Sequence, residues 1–410
     1  MNAIYMQSRR LNMSGVLEAL VVFGLCSSLV LPSLSLLGIG VYFTTIVSVL
    51  LFVFVSFGLL ALRPVVHFSV LPVFIMSIMV LLISIVSWGL SLSDYNIRDL
   101  NESVKYAQFI PYLLTLSYIR PERFQTKLLY GIHISLCLLL VVGYIQIFAP
   151  ISLLKPISML YLSYDSVHLL SVISGSRVTL TGTNPNVGGF IAAYFSIYVL
   201  VRYLHERNIL YLILFFLVLF LVLKTQSRTV LVAMTISFFL YFMFVFRLNI
   251  IKKIILLALI FVLSTALVSF VNLDYVTIGF QLAISGENNS VNVRLENLLL
   301  AYDRFLQSPI IGWGPAKSEF STGIDSEYAL ILQRYGLVGI LVFGGTVIYM
   351  LRTSLKNIHT IPGSVFFLVV IMTVIVMSTN NVFSGYQLMS ILIMLLMWNI
   401  VFRKIHHNAQ

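Results

Sequence analysis

Long apolar stretches separated by short polar breaks follow one another along almost the whole chain. A helix that crosses a bilayer takes roughly 17–25 residues. Twelve stretches fit or approach that length: about 15–31, 39–62, 70–92, 104–119, 128–149, 187–203, 209–223, 230–246, 254–272, 326–350, 364–380 and 386–402. The fourth is short and holds Pro111, and the last two are separated only by the segment Asn380 to Gly385. The pattern predicts an all-α, polytopic integral membrane protein of about 12 transmembrane helices, with residues 1–410 as a single membrane domain. No internal repeat is evident, which weighs against a transporter built from inverted repeats. Arg9 and Arg10 precede the first stretch, but no small-residue cleavage site clearly follows, so an uncleaved first span is expected.

Two of the polar breaks are long. The first covers residues 150–186. Its early part is apolar apart from Lys155, Asp165 and His168, and an interfacial amphipathic helix is expected there. Its end, from Arg177 to Asn186, is rich in Thr, Gly, Asn and Pro and reads as turn, with Asn186 placed to cap the next helix. The second covers residues 273–325 and is expected to be helical. At about 100° per residue, Arg294 falls beside Leu298, Ala301 and Phe305, while Asn292, Glu296 and Asp303 fall opposite. Arg294 therefore belongs to the apolar side, either snorkelling from it or serving a site. Ser308-Pro309 ends that helix, because proline lacks the N–H and restricts the residue before it. Gly312-Trp313-Gly314-Pro315 is a tight turn, and Asp325-Ser326-Glu327 opens the next apolar helix, with Asp325 available as its N-cap.

Composition sharpens the picture. Hydrophobic residues make up 60% of the chain and charged residues 10%, against about 25% charged in soluble domains. The net charge of +11 is accounted for by the positive-inside bias of membrane proteins rather than by nucleic acid. With the N-terminus in the cytoplasm, the cytoplasmic breaks collect Arg9, Arg10, Arg63, Arg120, Arg123, Lys127, Arg202, Arg207, Arg247, Lys252, Lys253, Arg352, Lys356, Arg403 and Lys404. The acids on that side are Glu18, Glu122 and Glu206. Both termini are then cytoplasmic and both long breaks face outward. Cys26 and Cys137 lie inside apolar stretches and read as small core residues rather than a disulfide.

The chain carries no phosphate-binding glycine loop, no H-E-x-x-H, no C-x-x-C and no Asp-x-Asp pair, so neither a metal nor another cofactor is expected. What remains is outward-facing charge: Arg177, Lys224, Arg228, Arg294, Lys317 and Arg334, with Asp325 and Glu327. Lys224 and Arg228 are four apart and would share a helical face, either as a site or as interfacial anchors. Arginine forks hold phosphate in bidentate fashion, and a carboxylate beside them suits a general base. A lipid-linked pyrophosphate at the outer leaflet fits both.

At these residues the chain resembles a known family. Arg177 followed after ten residues by Gly188, the Ser227-Arg228 pair after an apolar stretch, and R-x-E-N…F-x-x-S-P-I-I-G-W-G-P…D-S-E-Y…G-L-V-G from Arg294 to Gly339 are similar to the O-antigen polymerase and ligase superfamily. The resemblance implies a glycosyltransferase of the bacterial inner membrane, metal-independent, acting on undecaprenyl-pyrophosphate-linked oligosaccharides as donor and acceptor. Membrane lipids, and a chain-length regulator as a further candidate, are its implied partners. Arg177, Arg228, Arg294 and Asp325 carry over as catalytic positions. Glu327, Lys224, Asn184, Asn186, Lys317, Arg334 and Tyr328 are expected to bind substrate. Ligases of this superfamily commonly have His-Asn where this chain reads Asp325-Ser326, which points to the repeat-unit polymerase branch. The alternatives are a ligase transferring glycan to lipid A-core, and a flippase or transporter. A flippase would line several spans with charge, whereas here the spans are almost uncharged.

Overall fold

A computed structural model describes residues 2–36, 39–62, 66–162, 166–245, 289–317 and 324–407, with residues 251, 254, 258 and 319. The described chain is helical apart from a short antiparallel hairpin, β1 (Leu34–Leu36) and β2 (Ile39–Val41). The helices are α1 (Asn2–Val30), α2 (Phe43–Leu62), α3 (Val70–Gly89), α4 (Ile97–Ala107), α5 (Ile110–Leu114), α6 (Pro121–Phe148), α7 (Ile151–Tyr161), α8 (Ser166–Ile173), α9 (Pro185–Glu206), α10 (Ile209–Thr225) and α11 (Arg228–Leu240). A π-turn, Tyr241–Val245, extends α11. Then come α12 (Asn289–Gln307), α13 (Glu327–Leu355), α14 (Ile361–Val376) and α15 (Tyr386–His407). Among the described residues six helices are long and apolar enough to cross a membrane, and five shorter helical segments are apolar. Apart from residues 254 and 258, the expected span at 254–272 and the first part of the second long break, 273–288, lie outside the described residues.

The expected span at 104–119 is not one helix. α4 ends at Ala107, a five-residue α5 follows with Pro111 in its first turn, and a 3₁₀ turn closes the segment. Proline cannot donate to the ladder, so the apolar run breaks where the sequence places it. The first long break holds α7 and α8. Cys26 is buried as expected, but Cys137 is exposed on α6, and both are free thiols. An apolar helix facing lipid leaves such a residue outside without cost.

The chain divides into two compact units. Unit one comprises residues 1–135, 294–353 and 377–410. Its pillar is α15, buried without interruption from Gln387 to Val401 and packed on α1. Unit two comprises residues 136–293 and 354–376. Its pillar is α9, buried from Gly188 to Val201 and packed between α10 and α14. A helix apolar on every side is stable only in such a position.

Candidate functional site

In unit two, two sequence motifs far apart in the chain are folded onto each other. α10 ends at Thr225, Gln226 takes a left-handed conformation, and α11 starts at Arg228. Lys224 and Arg228 therefore do not share a helical face; the helix stops between them. The segment after α8 lies against this turn. Val178 donates its N–H to the Lys224 carbonyl at 3.2 Å, Arg177 Nε donates to the Thr225 carbonyl at 3.0 Å, and Gln226 donates to the Ser176 carbonyl at 2.7 Å. Gly188 is required here, because a Cβ would sit 1.9 Å from the Thr179 carbonyl oxygen. The Arg177-to-Gly188 spacing and the Ser227-Arg228 pair thus belong to one packed constellation.

Asn184, not Asn186, caps α9. Its side chain accepts the N–H groups of Asn186 and Val187, both at 2.9 Å. Pro185 occupies the first helical position, where no N–H is needed, so the cap falls one residue before it. Asn186 is left to accept the Ser227 hydroxyl at 2.9 Å. Lys224 lies 5.9 Å from the centre of the Phe220 ring.

In unit one, α12, a turn and α13 form the second constellation. Arg294 is half-buried on the inward side of α12 with Ala301 and Phe305. Ala301 packs with Ile324, Ala329 and Leu330. Leu298 is 46% exposed, as are Leu295, Leu299 and Leu306 in similar degree, so apolar residues cover both sides of this helix. Pro309 follows the end of α12, and Gly312 and Gly314 both take positive φ. A Cβ on Gly312 would meet the Arg334 carbonyl carbon at 2.5 Å. The turn fits into a break in α13, where Gly336 leaves helical geometry. Trp313 and Gly314 donate to the carbonyls of Gln333 and Arg334, and Leu337 and Val338 donate to those of Pro309 and Ile310. The groups that the broken helix leaves unpaired are satisfied by the turn.

At the start of α13 three adjacent residues do different work. Ser326 acts as the cap, its hydroxyl accepting the Ala329 N–H at 3.4 Å. Asp325 is not needed for capping. Its side chain is 59% exposed, and Oδ2 lies 3.6 Å from Arg294 Nε. Glu327 is fully buried and accepts the backbone N–H groups of Val382, Phe383 and Ser384 and the Ser384 hydroxyl. Its carboxylate is saturated by the loop before α15 and faces no open surface. Tyr328 is 44% exposed.

Lys317 and Arg334, expected near the site, converge on a residue the sequence did not single out. Glu102 on α4 is 1% exposed and pairs with Lys105 Nζ at 2.8 Å, with Lys317 Nζ, and with Arg334 Nη1 at 3.7 Å. Burial alone would push the Glu102 carboxyl up, but Lys105, Arg334 and Lys317 overcome it and hold it down at about 2. The cluster is braced by Asp99, which accepts the Lys317 N–H at 3.0 Å and the Trp88 indole N–H at 3.3 Å. Asp99, Glu102 and Tyr106 recur at helical spacing and are all buried. That periodicity in a short charged segment was the available signal; Lys105 was hidden because it was read as the start of a span.

Among the described residues no group of three His, Cys, Asp or Glu side chains could hold a metal ion. A family model described as O-antigen ligase matches residues 212–344, a segment that contains Arg228, Arg294, Lys317, Asp325 and Arg334 but not Arg177 or Glu102. No curated protein matches the chain. The match supports the O-antigen ligase and polymerase superfamily, whose members are glycosyltransferase-like enzymes with lipid-linked oligosaccharide substrates.

Proposed function

Starting from that superfamily, we propose that this membrane protein is an oligosaccharide repeat-unit polymerase acting at the outer face of the bacterial inner membrane. It takes a growing glycan from undecaprenyl pyrophosphate and adds it to the next lipid-linked repeat unit. The observation that carries the reading is the division of labour at the start of α13. Ser326 caps the helix, so the exposed Asp325 carboxylate beside Arg294 is free for chemistry.

In this reaction Arg294 binds the pyrophosphate of the donor, its charge serving where other transferases use a divalent cation. Asp325 accepts the proton of the acceptor hydroxyl. The acceptor oxygen bonds to the anomeric carbon as the carbon–oxygen bond to pyrophosphate breaks, and undecaprenyl pyrophosphate departs. Arg177 and Arg228 carry over from the resemblance as further phosphate-binding arginines, each to be tested by itself. Donor lipid, acceptor lipid, surrounding membrane lipids and a chain-length regulator are the partners of this reading.

The matching family is described as O-antigen ligase and is compatible with both readings; Asp325-Ser326 in place of a His-Asn pair favours the polymerase. Deletion in the native host separates them. A polymerase deletion leaves lipopolysaccharide capped with a single repeat unit. A ligase deletion leaves bare core, and that result would overturn the proposal.

A further inference from the structure

Three cations meet the Glu102 carboxylate, with the buried Asp99 carboxylate held on the Lys317 backbone beside them, leaving a surplus of one positive charge in a half-buried setting. Lys105 and Lys317 both use the same oxygen of Glu102. Arg334 stands 3.7 Å from the other oxygen, beyond the roughly 2.7–2.9 Å of a direct charge-assisted bond. Its Nε is buried with no hydrogen-bond partner among the described residues. Glu102 therefore spaces the cations while neutralising only one of them, and removing paired charge from water is costly unless further partners complete it. Beside Lys105 lies an apolar wall: its Nζ sits 5.8 Å from the Tyr386 ring, which stacks on Tyr42 at 5.2 Å.

We propose that Lys105, Lys317 and Arg334, spaced by Glu102, form a binding site for a prenyl diphosphate, separate from the Arg294–Asp325 pair. A diphosphate supplies anionic oxygens to the surplus cation and to the incompletely bonded Arg334, and the tyrosine wall suits the organic group attached to a diphosphate. This rests on the polymerase reading in one respect: a polymerase handles two lipid-linked diphosphates at once, and only one of them loses its glycan. The cluster would hold the lipid whose carbon–oxygen bond stays intact.

The supports of the cluster do not depend on the charges it offers. Lys317 is fixed by its own backbone N–H on Asp99, and Arg334 lies where the glycine turn holds the break in α13. Lys105→Gln/Lys317→Gln therefore removes cations while leaving those bonds in place, and Lys317→Gln alone is the milder variant.

The test is binding of labelled farnesyl diphosphate to the full-length protein in phosphatidylcholine nanodiscs, with thermal melting as a folding control. The double variant is expected to lose one class of sites, its affinity falling about tenfold or more, and Lys317→Gln to show a smaller loss in the same class. Arg294→Ala is expected to retain that class. Inorganic pyrophosphate should compete weakly and phosphatidylglycerol not at all. Unchanged binding in folded Lys317→Gln and in the double variant overturns the site, and equal displacement by phosphatidylglycerol overturns its assignment to a diphosphate. The polymerase reading fails on a different result: a full-length glycan ladder from Asp325→Asn. Cation-dependent binding alongside such a ladder would retain this site and remove that chemistry.

Discussion

Asp325 and Ser326 are both good N-caps, and one residue separates a structural carboxylate from a chemical one. Because Ser326 holds the cap, Asp325→Asn should fold, insert and accumulate normally, yet lose activity by a factor on the order of 10²–10⁴. Ser326→Ala should do the opposite, costing about 1 kcal/mol of stability while the Asp325 carboxylate remains. Glycan ladder length at matched protein abundance distinguishes them, and a wild-type ladder from Asp325→Asn removes that residue from the mechanism. Arg294→Lys should fail nearly as badly as Arg294→Ala, since a point charge does not replace a bidentate fork; a lysine variant with a normal ladder would show that charge alone suffices. The inward placement of Arg294 was legible, because helical spacing alone aligns it with Ala301 and Phe305. The choice between Asp325 and Ser326 was not, because propensity places a cap only to within a residue or so.

At the scale of elements, local pattern foretold the Ser308-Pro309 stop and the Gly312–Gly314 turn, whose positive φ angles demand glycine. It did not foretell that this turn fills a break in α13, since hydrogen bonds between elements leave no periodic trace. The same holds for Asp99 and Lys317, paired across 218 residues. Glu327 shows how burial recasts a charged residue. In Glu327→Gln an amide NH₂ would confront backbone donors that now meet a carboxylate oxygen. The expected result is a loss of about 1–3 kcal/mol for each unsatisfied group, seen as a lower melting temperature in detergent; an unchanged melt would show that the loop before α15 holds without the clamp. Glu102 carries a pH signature. Its carboxyl is held below the ordinary value of 4.5, at about 2, so its stabilisation is complete above 4.5 and fades as pH falls through that window. Acid melting curves of wild type and Glu102→Gln should therefore differ in slope only between 4.5 and about 2. Parallel curves throughout would show that the three cations do not stabilise the charged form.

At the scale of the molecule, unit one sorts its charge to opposite ends of α3. Near the start of α3, Val66, His67 and Phe68 share a cleft with Leu116, Ile119 and Lys404. Lys404 donates to the Leu116 carbonyl at 3.0 Å, and Lys127 pairs with Glu18 at 2.8 Å while Arg120 donates its N–H to the same carboxylate. This gathers the end of α15 and the segment before α6, where Arg120, Arg123, Lys127, Arg403 and Lys404 cluster. At the other end of α3, Ser87 donates to the Trp313 carbonyl at 2.7 Å and Asp94 donates its N–H to Glu319 at 2.7 Å. There Glu102 pairs with the Lys317 ammonium of the turn before α13, and Asp99 accepts the backbone N–H of the same residue. By the positive-inside rule the first end is expected to face the cytoplasm, which would send the Arg294–Asp325 pair and the Glu102 cluster outward, where lipid-linked glycan is presented in the proposed reaction. A phosphatase fusion after Ser290 should be active and one after Arg403 silent, with a cytoplasmic fluorescent reporter giving the reverse. An active phosphatase at Arg403 would invert unit one and place both constellations on the wrong face for the chemistry.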